Sequence, residues 1–93
     1  MAKLTEEAIR QALTGLPGWE STKEGIRKKY EFPGFPEAVR FVDRLVAPAE
    51  TAQHHPNIEI VYRWVTLTLT THDEGGVTQK DVDLARAIEV LDF

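Results

Sequence analysis

The chain has 93 residues, enough for one compact domain over 1–93, but its core is small enough that association into a homo-oligomer is expected. Its 11 basic and 15 acidic side chains give a net charge of -4, which argues against nucleic acid and an anionic membrane as partners. It contains no cysteine, which excludes disulfides and thiolate chemistry, and no secretion signal or membrane-spanning apolar run, so we expect a cytoplasmic protein.

The first third of the sequence predicts a helix followed by a hairpin. Thr5 can cap the helix through its hydroxyl, and apolar residues at helical spacing continue to a stop near Gly15. Two short strands, 19–21 and 26–32, are typical of a hairpin. The basic run 27–29 lies in the second strand, and we interpret it as a solvated face rather than a phosphate-binding patch.

A second helix is predicted from Pro36, which suits the first turn because its missing N–H needs no partner there. Pro48 cannot donate to the carbonyl of Arg44, so a kink or an early stop is expected at Pro48. The predicted buried stripe of this helix consists of Ala38, Val39, Val42, Leu45, Val46 and Ala49.

The last third predicts a second hairpin and a third helix. Residues 58–71 are mostly β-branched and aromatic, and their length indicates two strands with a break near 62–64. In the second of these strands, valine and leucine alternate with threonine, which predicts one apolar and one hydroxyl-bearing face. Thr78 and Asp81 have the spacing of a capping box for a helix that runs to the end of the chain.

These elements follow the order α-β-β-α-β-β-α. Hairpin connections favour antiparallel pairing, and a sheet with one apolar face needs cover on that face only. We therefore predict an α+β fold in which three helices lie on one face of a four-stranded antiparallel sheet.

The three histidines of the chain are clustered at 54, 55 and 72. His54 and His55 fall in the turn after the second helix, and His72 follows the last predicted strand. If the strands between them form a hairpin, the chain returns to the same end of the sheet and brings His72 near the pair. Histidine both donates and accepts protons near neutral pH, so this cluster predicts an acid–base site.

The residues by themselves leave other uses open. A zinc site would employ the same three histidines, although adjacent ligands are awkward to aim at one ion. Asp81 is first of all typical of a capping carboxylate, and Glu50 fits an exposed helix end as well as it fits a carboxylate that orients a histidine. Trp19, Tyr62 and Trp64 are more typical of core or interface aromatics than of stacking platforms.

One spaced pattern joins these residues. In order it contains an acidic residue, His-His-Pro, an aromatic residue, Thr-His and an aspartate, which are here Glu50, His54-His55-Pro56, Tyr62, Thr70-Thr71-His72 and Asp81. The pattern resembles the signature of the pterin-4a-carbinolamine dehydratases, whose separations it matches. Weaker similarity through 16–19 and 36–46 extends the resemblance over nearly the whole chain. Ile58 departs from it, since some members carry tryptophan there.

The resemblance implies helix-covered four-stranded sheets that pair edge to edge into a homodimer and can assemble further into a homotetramer through helices. It also implies a hydro-lyase that dehydrates 4a-hydroxytetrahydropterin to quinonoid dihydropterin without a metal or another cofactor. Such an enzyme would recycle the cofactor of an aromatic amino acid hydroxylase, which would be its functional partner.

Site residues are likewise implied by the resemblance. His54, His55 and His72 would line the pterin pocket, and we hypothesise that His55 and His72 exchange protons while His54 positions the ring. Glu50 would orient one imidazole. The other expected substrate-binding residues are Thr70, Thr71 and Asp81.

The family also includes members that act by dimerising with a transcription factor, and relatives without the histidines that serve as assembly partners. A non-catalytic dimerisation or assembly module is therefore the alternative function. The presence of all three histidines favours catalysis over this alternative.

Overall fold

The computed structural model describes residues 2–91. Its elements in chain order are α1 Glu6–Leu13, β1 Glu20–Thr22, β2 Gly25–Glu31, α2 Phe35–Arg44, α3 Val46–Ala52, β3 Asn57–Val61, β4 Trp64–Leu69, a 3-10 helix His72–Glu74 and α4 Gln79–Glu89. The α+β class and the predicted alternation of helices and hairpins are confirmed. The predicted second helix corresponds to α2 and α3 together.

The four strands form one antiparallel sheet in the order β1-β2-β4-β3. In β4, Val65, Leu67 and Leu69 are fully buried, whereas the threonines between them are only partly covered. The alternation predicted for this strand is therefore confirmed, with its apolar face against the helices. Ile26 at the start of β2 pairs with Leu69 at the end of β4. The β1–β2 turn therefore lies at the same end of the sheet as the end of β4.

The break in the second helix lies earlier than predicted. Pro48 lacks the N–H that would bond to the carbonyl of Arg44, so α2 ends there and α3 begins with Pro48 in its first turn. The residues that face the core also differ from the predicted stripe. Val39 and Val46 were expected to be buried and are 41% and 57% exposed, while the fully buried Phe41 was absent from the predicted stripe.

Other element boundaries differ from the predictions by small amounts. β1 begins one residue later than predicted, and β2 begins and ends one residue earlier than predicted. α4 ends at Glu89, so the helix does not continue to the end of the chain, although Leu91 still packs against the core. Residues 92 and 93 of that predicted helix lie outside the described part of the chain.

Lys28 departs from the solvated face expected for residues 27–29. Its ammonium donates to both oxygens of the Glu89 carboxylate at 2.9 and 3.0 Å, on the helix side of the sheet. The Tyr30 hydroxyl and the Trp19 indole N–H donate to the same carboxylate at 2.6 and 3.1 Å. These four side chains fasten the end of α4 to β2, and the prediction was wrong at Lys28 because strand alternation turns it inward.

The pKa values within this cluster reflect its hydrogen bonds. Partial burial alone would raise the pKa of Glu89, but the hydrogen bonds from Tyr30, Lys28 and Trp19 outweigh burial and lower it. Burial and the neighbouring carboxylate raise the pKa of Tyr30, so its hydroxyl stays a donor.

Gly25 allows β2 to approach the end of β4 closely. Its φ of +143° belongs to the region that favours glycine, and a Cβ at this position would lie 2.1 Å from the carbonyl oxygen of Leu69. No side chain other than hydrogen fits there without moving the backbone that leads to Thr70.

Within residues 2–91, the helices are all too short or too polar to cross a membrane, and the cytoplasmic location stays a prediction.

Candidate active site

The histidine turn, residues 53–56, joins α3 to β3. Gln53 adopts left-handed backbone angles (φ 52°, ψ 43°) that reverse the chain, and the backbone N–H of His54 donates to a carbonyl in the last turn of α3 at 3.1 Å. Asn57 at the start of β3 pairs with Thr68 near the end of β4. The predicted hairpin is confirmed, and it brings the end of β4 back beside the histidine turn.

His54 is held by a buried carboxylate. Its Nε2 atom lies 2.5 Å from Oδ1 of Asp81, which is 27 positions away in the chain. The His54 side chain is 12% exposed and the Asp81 side chain is completely buried. A short contact between an imidazole and a buried carboxylate fixes the orientation of the ring.

Asp81 has two further contacts through its other oxygen, Oδ2. The Thr71 hydroxyl and the Thr78 backbone N–H each donate to Oδ2 at 2.8 Å. The bond from the Thr78 N–H is one half of the predicted capping box of α4. In the other half, the Thr78 hydroxyl accepts from the Lys80 N–H at 3.3 Å. One carboxylate therefore caps a helix and holds a histidine.

These contacts concern two of the expected substrate-binding residues. Asp81 is completely buried, and each of its carboxylate oxygens has a partner within the protein. The Thr71 hydroxyl is committed to Asp81, its N–H donates to Gly76, and its carbonyl accepts from Glu74 and Gly76. The hydroxyl and the backbone groups of Thr71 thus all have partners within the protein.

His55 is paired with the second carboxylate of the pattern. Its Nε2 atom lies 2.6 Å from Oε2 of Glu50, and the two side chains are 62% and 61% exposed. Glu50 lies one helical turn earlier in α3, which places it under the histidine turn despite Pro48. The expectation that Glu50 orients an imidazole agrees with this contact.

His72 begins the 3-10 helix that follows β4, and its side chain is exposed. Its ring has no hydrogen-bond partner among residues 2–91. His72 lines a cleft of about 330 Å³ together with Asn57, Thr70 and Lys23. Thr70 is thus the one expected binding threonine that lines the cleft.

The structure brings the three histidines to one end of the sheet, because the histidine turn precedes β3 and His72 follows β4. His54 reaches Asp81, Asp81 reaches Thr71, and Thr71 is the chain neighbour of His72. Of the three imidazoles, only that of His72 lines the cleft in this arrangement. Among the described residues, no three ligand-type side chains are arranged to hold a metal ion.

Sequence reasoning missed several residues that line the cleft, among them Asn57 and Lys23. Asn57 follows the His-His-Pro motif directly, and its position next to the motif was the available signal. Lys23 lies in the β1–β2 turn, and only the sheet order places that turn beside Thr70. Tyr62, by contrast, occupies the β3–β4 turn at the far end of the hairpin and is 65% exposed, so it lies away from the histidines.

Comparison with known proteins gives consistent matches over nearly the full chain. The family model described as pterin 4 alpha carbinolamine dehydratase matches residues 2–91. A Picosynechococcus protein with the provisional name pterin-4-alpha-carbinolamine dehydratase is 48% identical over 89 residues, which cover 96% of this chain and 97% of the relative. A Mycobacterium avium protein with the same provisional name is 48% identical over 88 residues, covering 95% and 94%.

A solved structure shares both fold and sequence with this chain. The crystal structure of a transcriptional coactivator/pterin dehydratase from Brucella melitensis superposes with a TM-score of 0.88 at 36% identity. The match covers 94% of this chain and 95% of the Brucella chain.

Proposed function

The chain belongs to the pterin 4 alpha carbinolamine dehydratase family, a family of hydro-lyases, and we propose that its histidines dehydrate a 4a-hydroxytetrahydropterin to the quinonoid dihydropterin. One observation carries the proposal. Two imidazoles, His54 and His55, are each held through Nε2 by a carboxylate, at the end of the sheet where His72 lines a cleft. An acid–base site with oriented rings is what this reaction requires.

The reaction needs two proton transfers. The bond between the 4a carbon and its hydroxyl oxygen breaks, and a proton delivered to that oxygen lets it leave as water. The neighbouring ring nitrogen loses its proton, and the electron pair of that N–H bond forms the new C=N bond. Imidazoles supply both transfers because their ordinary pKa of about 6.5 lies close to the pH of the cell.

The contacts support different roles for the three histidines. His54 is nearly buried and tied to Asp81, which suits a residue that positions the pterin ring. His55 is exposed and its Nε2–H is directed to Glu50, which leaves Nδ1 as the atom that accepts a proton. His72 lines the cleft without a carboxylate partner among residues 2–91, and it delivers the proton to the departing hydroxyl.

Thr70 and Asn57 supply polar groups for the pterin edge. Both line the cleft with His72, and the Thr70 side chain is only partly covered. A flat bicyclic ring with an amide edge needs such donors and acceptors to fix its orientation. The product would return to an aromatic amino acid hydroxylase, whose cofactor this reaction recycles.

We also propose that the chain forms a homodimer through β3, with further assembly to a homotetramer. All five residues of β3 are exposed, and β3 is an outer strand of the sheet. Ile58 and Ile60 are 42% and 37% exposed on this strand, and an open edge with apolar side chains is suited to pairing with a second copy. Sedimentation equilibrium measures the state directly, and a monomer at micromolar concentration would contradict this assembly.

The alternative, a non-catalytic protein-binding module, is favoured by one observation. The Brucella protein is described both as a transcriptional coactivator and as a pterin dehydratase. Both functions can reside in one chain, because Phe35 and Val46 leave apolar side chains exposed on the helical side.

The deciding experiment follows the decay of a 4a-carbinolamine by its ultraviolet absorbance, with and without the protein. We expect acceleration by the wild type, and about a hundredfold or greater loss of kcat in both His55→Ala and His72→Ala, as for loss of a general acid or base. Arg63→Ala, at the far end of the β3–β4 hairpin, serves as the control with full activity. If wild-type protein does not change the decay rate of the 4a-carbinolamine, the dehydratase proposal is refuted and the protein-binding module is the remaining function.

A further inference from the structure

Thr78 is a buried hydroxyl that the proposed mechanism does not use. Its side chain is completely inaccessible, and its Oγ1 atom lies 2.8 Å from Oγ1 of Thr71. Thr71 in turn contacts Oδ2 of Asp81 at 2.8 Å, and Oδ1 of Asp81 contacts His54 at 2.5 Å. Four side chains thus form one continuous series of short polar contacts that ends on an imidazole.

Counting protons decides the direction of each bond. The Thr71 hydroxyl has one proton, and it is donated to the carboxylate of Asp81. The contact between Thr71 and Thr78 then needs a proton from Thr78, so Thr78 is the donor in that bond. At the other end, imidazole is by nature more basic than a carboxylate, so the proton between His54 and Asp81 belongs to Nε2.

We propose that Thr78 is a positioning residue, the far end of a hydroxyl relay through Thr71 and Asp81 that fixes the tautomer of His54. The relay holds the proton of His54 on Nε2 and leaves the lone pair on Nδ1 for the substrate. This inference rests on the proposed function for its catalytic consequence, but the relay itself is a property of the unliganded protein.

A comparison within the chain separates the relay from helix capping. Thr5 caps α1 by accepting from the Ala8 N–H at 3.1 Å, and its side chain is exposed. Thr78 caps α4 with a longer contact of 3.3 Å, yet it is completely buried against a second hydroxyl. A cap alone needs neither the burial nor the second partner, so Thr78 has a role beyond the cap.

The test observes the Nε2 proton of His54 by proton and nitrogen-15 NMR of the full chain. In the wild type we expect a low-field, slowly exchanging signal and the nitrogen shifts of an Nε2–H tautomer. Thr78→Val and Thr71→Val each remove one hydroxyl from the relay, which loosens the Asp81 carboxylate. We expect each to speed exchange of this proton by about fivefold or more, which corresponds to one hydrogen bond of about 1 kcal/mol.

Two further variants make the result specific. Thr78→Ser keeps the hydroxyl and should restore the wild-type signal, whereas Thr5→Val removes a helix cap remote from Asp81 and should leave the signal unchanged. In the dehydratase assay, Thr78→Val should lower kcat/KM about fivefold, because Thr78 acts on the substrate only through the orientation of His54.

An unaltered His54 signal in both Thr78→Val and Thr71→Val would overturn the relay. Failure of Thr78→Ser to restore the signal would overturn it as well, because loss of the methyl group rather than of the hydroxyl would then be responsible. Wild-type protein without dehydratase activity would refute the proposed function instead, and the NMR signal would still decide the relay.

Discussion

Replacement of Asp81 by asparagine tests the centre of the site, because it removes the charge and keeps the size. The asparagine oxygen can still accept from the Thr71 hydroxyl and the Thr78 N–H, which both lie 2.8 Å from Oδ2. Its NH2 group then faces Nε2 of His54, where a proton acceptor stood before. We expect His54 to shift its proton to Nδ1, the tautomer opposite to that of the wild type.

The magnitude follows from the three bonds to the carboxylate. Hydrogen bonds to charged groups contribute about 1.5–3 kcal/mol each and neutral ones about 0.5–1.5 kcal/mol, so three such exchanges remove about 3–4 kcal/mol. Relief from burying a charge offsets part of this loss. We therefore expect the free energy of unfolding to fall by about 2–3 kcal/mol, which leaves a domain of ordinary stability folded.

Activity should fall much further than stability. His54 with the wrong tautomer presents a donor where the pterin ring needs an acceptor, so the ring is misplaced relative to His55 and His72, and such misplacement costs about a hundredfold in rate. Urea titration measures the first effect, and the decay of the 4a-carbinolamine absorbance measures the second. Asp83→Asn is the matched control, since Asp83 lies on the exposed side of the same helix and should show neither effect.

The reasoning would be refuted by an Asp81→Asn variant that keeps wild-type kcat and an Nε2-protonated His54. A variant with lost activity but an unchanged His54 tautomer would also contradict it, because the loss would then have another origin.

Three more predictions concern Glu50, Glu89 and Gly25. Glu50→Gln should lower kcat about tenfold, because Glu50 orients the imidazole of His55. The urea midpoint should stay unchanged, because the contact between Glu50 and His55 is exposed. Enzyme kinetics and urea unfolding are compared on the same sample. Glu89 has a lowered pKa when folded, so its stabilisation is complete above the ordinary value of 4.5 and is lost as the pH falls through the lower folded value. The difference in unfolding free energy between wild type and Glu89→Gln should therefore shrink below about pH 4.5, and a constant difference would contradict this. Gly25→Ala should destabilise the protein by about 2 kcal/mol or more and weaken pterin binding, because the new Cβ would lie 2.1 Å from the carbonyl oxygen of Leu69. Thermal unfolding measures the loss of stability, and ligand titration measures the loss of binding. An unperturbed melting temperature would argue against the clash.

Local chemistry allowed much of the fold to be predicted from the sequence. Thr5 and Thr78 are N-caps in the structure as they are in the pattern, and the alternation from Val65 to Leu69 places the right residues in the core. The histidine turn was also predictable, since its residues are adjacent. All of these features depend on contacts between near neighbours in the chain, for which residue type and spacing are sufficient.

The same local reasoning failed where a long-range choice was needed. A periodic stripe in the second helix could not distinguish Val39 from Phe41, because the face of α2 that packs on the core is set by contacts outside the helix. In β2, the run 27–29 was interpreted as one solvated face, but Lys28 turns inward to Glu89, which is 61 positions away.

For the site, the sequence by itself determined which side chains are present and that the hairpin returns the end of β4 to the histidine turn. Tertiary structure decided what each of them does. It buried Asp81 behind His54 and turned the Thr71 hydroxyl away from the cleft. The physical reason is that a buried polar atom must find a partner, and the choice of partner depends on how α4 packs against the sheet, which no spacing in the chain records.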